Sequence, residues 1–252
     1  LQTSPEICMK RLLAAGNSKL FQICHCFRQE EVGRFHQSEF TLMEWYHKGW
    51  SYTELMDECE ALLQSIASGG NLFEGVNGQS IVRDGRTIDL ASPWDRSSVE
   101  EVFQKYTGIS AREAVKQGTF DELLVTMIEP NLGWKKPVFL YDYPVQCGSL
   151  ARTKDSDEQV VERFEVYVNG MELANGFSEL TDVDEQRLRF QDELSHIETS
   201  CGRDAGLPLR FLEDLESIER AAGIALGVDR LLMLIMSADS IEDVVPFSPG
   251  DW

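Results

Sequence analysis

Residues 39–47 (EFTLMEWYH) alternate so that Phe40, Leu42, Glu44 and Tyr46 fall on one side of an extended chain, a period of two that predicts a β-strand. Residues 20–28 (LFQICHCFR) predict a partner strand in which Cys24, Cys26 and Arg28 share a face. The polar stretch 29–38 between them is too long for a tight hairpin and is expected to be a loop with a function of its own. Ser4-Pro5-Glu6 supplies a cap residue, a proline at the first helical position and an acid in the first turn. It opens a helix with Met9, Leu12 and Leu13 inward and Gly16 at its end. Ser51-x-x-Glu54 is a capping box that opens a helix running to about Ala67, with Leu55, Met56, Cys59, Leu62, Leu63 and Ile66 on one side.

Beyond a Gly-rich stretch, 69–78, Asp84-Gly85 between short apolar runs predicts a hairpin. Three cap-like signals, Ser98-x-x-Glu101, Ser110-x-x-Glu113 and Thr119-x-x-Glu122, predict short helices over 98–129. Strands are expected at 137–142, 162–168 and 171–179, the last two joined by an Asn169-Gly170 turn. A helix over 182–201 turns Val183, Phe190, Leu194, Ile197 and Cys201 inward, and Ala222–Val228 reads as a strand running into a helix from Asp229. Hairpins outnumber βαβ units. The fold class is therefore α+β, with a mainly antiparallel sheet flanked by helices.

The chain has 252 residues and is 42% hydrophobic, enough for one large domain spanning 1–252 with a sizeable core. No stretch approaches the ~20 apolar residues of a membrane span, so no membrane partner is expected. The six cysteines include no Cys-x-x-Cys pair. Cys24-His25-Cys26 with His36 has the wrong spacing for structural zinc, and buried thiols in a reduced cytoplasm are the plainer reading. The formal charge is −20, from 23 basic and 43 acidic residues, which makes the chain a weak unaided grip for a long polyanion. The chain opens at Leu1 without an initiator Met, and an upstream segment is expected to be missing.

Some strand faces are not plain core faces. Glu44 and Tyr46 share one with Phe40; Arg163, Glu165 and Tyr167 share another; Asn175, Phe177 and Glu179 a third. Buried acids cost several kcal/mol unless they meet cations, so these faces either lie in solvent or line a polar cleft that takes a cation.

Residues 27–46, FRQEEVGRFHQSEFTLMEWY, resemble the second signature motif of class II aminoacyl-tRNA synthetases, Phe-Arg-x-Glu, loop, then Phe. The similarity is greatest to the lysine branch. Residues 223–230, GIALGVDR, resemble the third motif, and 163–179, RFEVYVNGMELANGFSE, the strand pair between them. The resemblance implies the class II catalytic core, ATP with Mg2+ as cofactor, and activation of a lysine-type amino acid as its adenylate. It implies Arg28 on the α-phosphate and the substrate carboxylate, Glu30 on the adenine amino group, Phe40 and Arg230 on the two adenine faces, and His36 with Arg230 near the γ-phosphate. Glu165 and Glu172 resemble the magnesium ligands. In a regular strand Glu172 and Asn175 would face opposite ways, so a bulge is needed if both serve the site, with Gly176 available nearby. For the amino acid, the resemblance implies Glu44, Tyr46 and Glu179 at the ε-ammonium, Glu6 at the other amino group, Asn175 at the carboxylate and Phe177 on the methylenes.

Two positions depart from lysyl-tRNA synthetases: Ser4 stands where they usually have Ala, and Ala225 where they usually have Gly. Both changes are shared with short paralogues of those enzymes that attach (R)-β-lysine to a lysine of elongation factor P. The resemblance therefore implies a protein acceptor, elongation factor P, in preference to tRNA, and a cytoplasmic homodimer. The first class II motif, which makes the dimer contact, is expected upstream of Leu1, and no anticodon-binding domain is visible. The alternatives are a lysyl-tRNA synthetase catalytic fragment that charges tRNA, and an inactive paralogue serving as an interaction module.

Overall fold

The computed structural model describes residues 1–29, 31–69, 76–77, 79–83, 85–148, 150–201 and 206–248. In chain order these form α1 (Glu6–Ala14), β1 (Lys19–Phe27), β2 (Glu39–Lys48), α2 (Tyr52–Ser68), β3 (Val76–Asn77), β4 (Ser80–Arg83), β5 (Arg86–Asp89) and β6 (Asp95–Ser98). There follow α3 (Val99–Thr107), α4 (Ala111–Gln117), α5 (Phe120–Leu123), β7 (Val138–Pro144), β8 (Thr153–Lys154), β9 (Asp157–Val168) and β10 (Met171–Ser178). The chain closes with α6 (Val183–Cys201), α7 (Leu209–Leu215), β11 (Ala221–Gly227) and α8 (Val228–Ile235).

The main sheet runs β1-β2-β11-β10-β9-β7-β6, with β8 paired to β9. Every pairing in it is antiparallel except β6 with β7. This is the α+β class expected from the hairpin pattern. The β9–β10 turn has positive φ at both Asn169 (56°) and Gly170 (72°), the geometry a two-residue Asn-Gly hairpin requires. The second strand pair, β4 with β5, closes with Arg83 opposite Arg86. Asp84, most of the Gly-rich stretch and the side chain of Cys201 lie outside the described residues.

One face of the sheet is apolar. Trp45, Ala174, Phe164, Val166, Ile224 and Leu226 pack there with Leu55, Met56, Cys59 and Leu63 of α2 and with Met233 and Leu234 of α8. The α2 capping box forms as its sequence indicates. The boxes at Ser98 and Ser110 also deliver their cap bonds, whereas Thr119 makes none. Because successive side chains alternate across a strand, the residues between those core positions face the other side. They include Glu44, Tyr46, Gly223, Ala225, Asn175 and Phe177, and they line a cleft. Helix α1 covers one end of this face, with Met9 and Leu13 packed on Tyr46 and on Phe211, Leu212 and Leu215 of α7. Among the described residues, no helix is long and apolar enough to cross a membrane.

The expected bulge is present but displaced. Glu172 pairs with Tyr167, while Ala174 pairs with Val166, so the extra residue is Leu173 rather than Gly176. The shift lets Glu172 and Asn175 reach one cleft. Gly176 serves the core instead. A Cβ there would lie 2.7 Å from the Phe164 ring, so the glycine admits a core aromatic.

Candidate active site

The cleft has a volume of about 520 Å3. Its lining includes Ser4, Glu6, Arg28, His36, Phe40, Glu44, Tyr46, Glu172, Asn175, Phe177, Ala225 and Arg230 from the sequence-derived set. Glu165 and Glu179 stand behind that lining, 6% and 3% exposed. Glu30 lies outside the described residues.

At one end Arg28 leaves β1 with its guanidinium carbon 5.1 Å from the Phe40 ring centroid and 43% of its side chain exposed. A 3.6 Å contact with Glu31 is its only ion pair among the described residues. Arg230, near the start of α8, is held far more firmly. Its Nε donates to Phe35 O (3.2 Å), Nη1 to Glu172 O (2.8 Å) and Oε2 (3.2 Å), and Nη2 approaches His36 Nε2 (2.6 Å). His36 must accept that bond, so its Nε2 carries no proton. Burial and the neighbouring arginine lower its pKa and favour this neutral form. The backbone of Gly33 and His36 exchanges two hydrogen bonds, which shapes the loop that presents the histidine.

Beside Arg230 lies a second cluster. Glu165 accepts from Tyr143 (2.5 Å), Tyr167 (2.7 Å) and Arg163 (2.6 Å). Arg163 also donates to Asn175 Oδ1 at 3.3 Å, which orients that amide. Burial and the Glu165 charge push Glu172 up to about 7, against the pull of Arg230. Glu165 and Glu172 side by side are hard oxygen donors of the kind a dication takes.

The opposite end is acidic. Glu44 is 2% exposed and accepts from Ser4 Oγ (2.7 Å) and Tyr46 Oη (2.8 Å). Ser4 Oγ also accepts from the Glu6 amide at 3.0 Å, which ties the start of α1 to β2. Pro5 takes the cap position itself, one residue earlier than a proline at the first helical position implies. Burial raises the pKa of Glu44 despite its two donors, and burial pushes Glu179 up to about 8 against the attraction of Lys10. Ala225 sits between the two halves of the site, paired with Glu44 on one side and Asn175 on the other.

The sequence reading missed three contributors. Lys10, 1% exposed, ion-pairs with both Glu6 and Glu179. Gln37 is 6% exposed at the cleft wall, and its Nε2 has no hydrogen-bond partner among the described residues. Gly223 lies where a Cβ would stand 2.2 Å from Tyr46 Cε1 and 2.7 Å from Glu179 Oε1. Only Gly223 had a usable signal, as the first glycine of the third motif. Gly223→Ala is expected to destabilise the fold by about 1–3 kcal/mol through overpacking. A lower thermal midpoint, with a raised KM for the amino acid, checks this.

Residues 1–250 match the family model of tRNA synthetases class II (D, K and N). An elongation factor P--(R)-beta-lysine ligase of Proteus mirabilis (strain HI4320) is 40% identical over 250 residues, covering 98% of this chain and 76% of the relative. Relatives with the same name occur in Pectobacterium atrosepticum (40% identical; 98% and 77% covered) and in Baumannia cicadellinicola (41% identical; 100% and 77% covered). The chain belongs to the class II aminoacyl-tRNA synthetases of the D, K and N group, and it is an ATP-dependent ligase.

Proposed function

We propose that this protein activates a lysine-type amino acid, with (R)-β-lysine preferred, and transfers it to a lysine side chain of elongation factor P in the cytoplasm. The observation that carries the substrate class is the acidic end of the cleft: Glu6 and Glu44 line it and Glu179 stands behind them, beyond the arginine-rich end that suits a triphosphate. The acceptor rests on the relatives' names, on their 40% identity over almost all of this chain, and on the net charge of −20. A dicationic amino acid satisfies buried acids that a neutral one leaves unpaired.

In this reading the substrate carboxylate attacks the α-phosphorus of ATP and pyrophosphate leaves. The acceptor amine then attacks the acyl carbon of the adenylate and AMP leaves. Arg28, the less constrained arginine, follows the α-phosphate through the change in geometry. Phe40 and Arg230 sandwich the adenine, His36 reaches toward the γ-phosphate, and Glu30 takes the adenine amino group. Asn175, aimed by Arg163, takes the carboxylate, and Phe177 packs on the methylenes. Glu172 with Glu165 would hold magnesium, which when bound neutralises phosphate charge. Ser4 and Ala225 shape the amino-group end; Ala225 adds a methyl between Glu44 and Asn175, a change on the scale of ~1–3 kcal/mol that suits a shift from an α- to a β-amino group. The exposed apolar residues of the edge strand β1, Phe21 and Ile23, support a homodimer.

Amino-acid-dependent ATP–pyrophosphate exchange tests the reading. Exchange is expected with (R)-β-lysine and lysine and not with norleucine, which lacks the second amine; equal exchange with norleucine would overturn the acidic-end assignment. Binding also has a pH signature. A ligand ammonium beside Glu179 lowers a carboxyl pKa that stands at about 8, so binding at pH 7 releases protons. Calorimetry in two buffers of different ionisation heat should show proton release at pH 7. The release should fade as pH rises above about 8, where Glu179 is already ionised.

A further inference from the structure

Lys10 is a fully buried cation that the adenylation reading leaves without a role. It sits on α1 one turn after Glu6, and its ammonium contacts Glu6 Oε1 at 2.5 Å and the Glu179 carboxylate on the far side. The ammonium also lies 5.2 Å from the Phe177 ring centroid, and the side chain is 1% exposed. A solvent-seeking lysine would snorkel outward from a helix flank. This one points inward, beneath the acidic end of the cleft.

Three elements turn charged or titratable groups toward this spot. Helix α1 contributes Glu6 and Lys10, β2 contributes Glu44 and Tyr46, and the end of β10 contributes Glu179. The residues of β11 packed against it are Gly223 and its apolar neighbours. The set therefore holds three carboxyl groups and one ammonium. Fully ionised it carries a net −2, which equals the charge of two substrate ammonium groups.

We propose that Lys10 is a specificity-determining positioning residue: its ammonium bridges Glu6 and Glu179 and leaves a three-carboxyl pocket with room for two ligand ammonium groups. The inference rests on the lysine-type reading above. Without Lys10, Glu179 would be a buried acid facing Glu6 and Glu44 with no compensating charge. It would hold its proton to a higher pH still and give it up less readily to a ligand cation. With Lys10 in place, both acids it touches are aimed, Glu179 gives up its proton more readily when a ligand ammonium arrives, and the pocket rejects a singly charged ligand because one carboxylate would stay unpaired.

The test uses Lys10→Met, Lys10→Arg, Glu179→Gln and the double variant Lys10→Met/Glu179→Gln, read by lysine-dependent pyrophosphate exchange between about pH 6 and 8.5, below the titration of a lysine ε-amine. Lys10→Met should raise the KM for the diamino acid at least tenfold and leave the KM for ATP within about twofold. It should also move the pH at which the amino-acid KM falls to a higher value. Lys10→Arg should recover most of the loss. The double variant should be no worse than Glu179→Gln alone, because Lys10 acts through that carboxylate. Additive losses in the double variant would overturn the proposal, as would a Lys10→Met protein with an unmoved KM and pH profile and only a lower thermal midpoint. If Lys10→Met does not fold, the Arg variant decides: a tenfold rise in KM with the charge retained counts against the proposal, and near-normal KM and pH profile count for it. Failure of the unaltered protein to exchange with any lysine-type amino acid sinks the substrate reading itself. Normal exchange with unchanged variants sinks only the role of Lys10.

Discussion

Arg28→Ala is expected to lower the rate of adenylate formation by roughly 10³-fold or more, the scale seen when a charge-stabilising group is removed from an acyl- or phosphoryl-transfer site. The effect should fall chiefly on kcat. Arg28 has one ion pair among the described residues, the 3.6 Å contact with Glu31, and 43% of its side chain is exposed, so little of the folded structure depends on it. Its thermal midpoint should therefore stay near that of the unaltered protein. Arg28→Lys should recover only a small part of the rate, because an ammonium cannot reproduce a planar fork across a phosphate oxygen and a carboxylate. Pre-steady-state release of pyrophosphate is the measurement. A rate within tenfold of the unaltered protein would remove Arg28 from the chemistry.

Arg230→Ala should abolish exchange to a similar extent and differ in its side effects. This guanidinium donates to the Glu172 backbone and carboxylate, to Phe35 O and to His36, so it joins α8, the β10 bulge and the loop after β1. Its removal takes away a ligand contact and frees the loop at the same time. It also leaves Glu172 facing Glu165 without its cation, which pushes the Glu172 carboxyl further above 7. The KM for ATP should therefore rise at least tenfold along with the loss of kcat, and the thermal midpoint should fall. A variant that loses kcat alone, with ATP binding intact by calorimetry, would contradict this joint role.

Much of the fold was legible because its signals were local. The capping boxes at Ser51 and Ser98, the Asn169-Gly170 turn and the alternation through Phe40, Leu42, Glu44 and Tyr46 each depend on a few adjacent residues. The cleft lining was legible through motifs whose order along the chain is specific. What the sequence did not disclose depends on packing between distant segments. Nothing local marks Lys10, four residues after Glu6, as an interior cation, and only the docking of α1 over Tyr46 and α7 buries it. Gln37 read as one more polar loop residue until the fold placed its amide at the cleft wall. The bulge was foreseen from the conflict between Glu172 and Asn175, yet it fell on Leu173, because Gly176 is already committed to the Phe164 ring. Helix α7 and the parallel pairing of β6 with β7 carried no local signal strong enough to read.

The acceptor is the central claim, and a single competition addresses it. The protein is incubated with ATP, magnesium and (R)-β-lysine, with elongation factor P and tRNA supplied together, and both acceptors are analysed by mass. The expected result is a mass increase on one lysine of elongation factor P equal to one lysine residue, with no aminoacylated tRNA. Aminoacylated tRNA with an unmodified elongation factor P would contradict it.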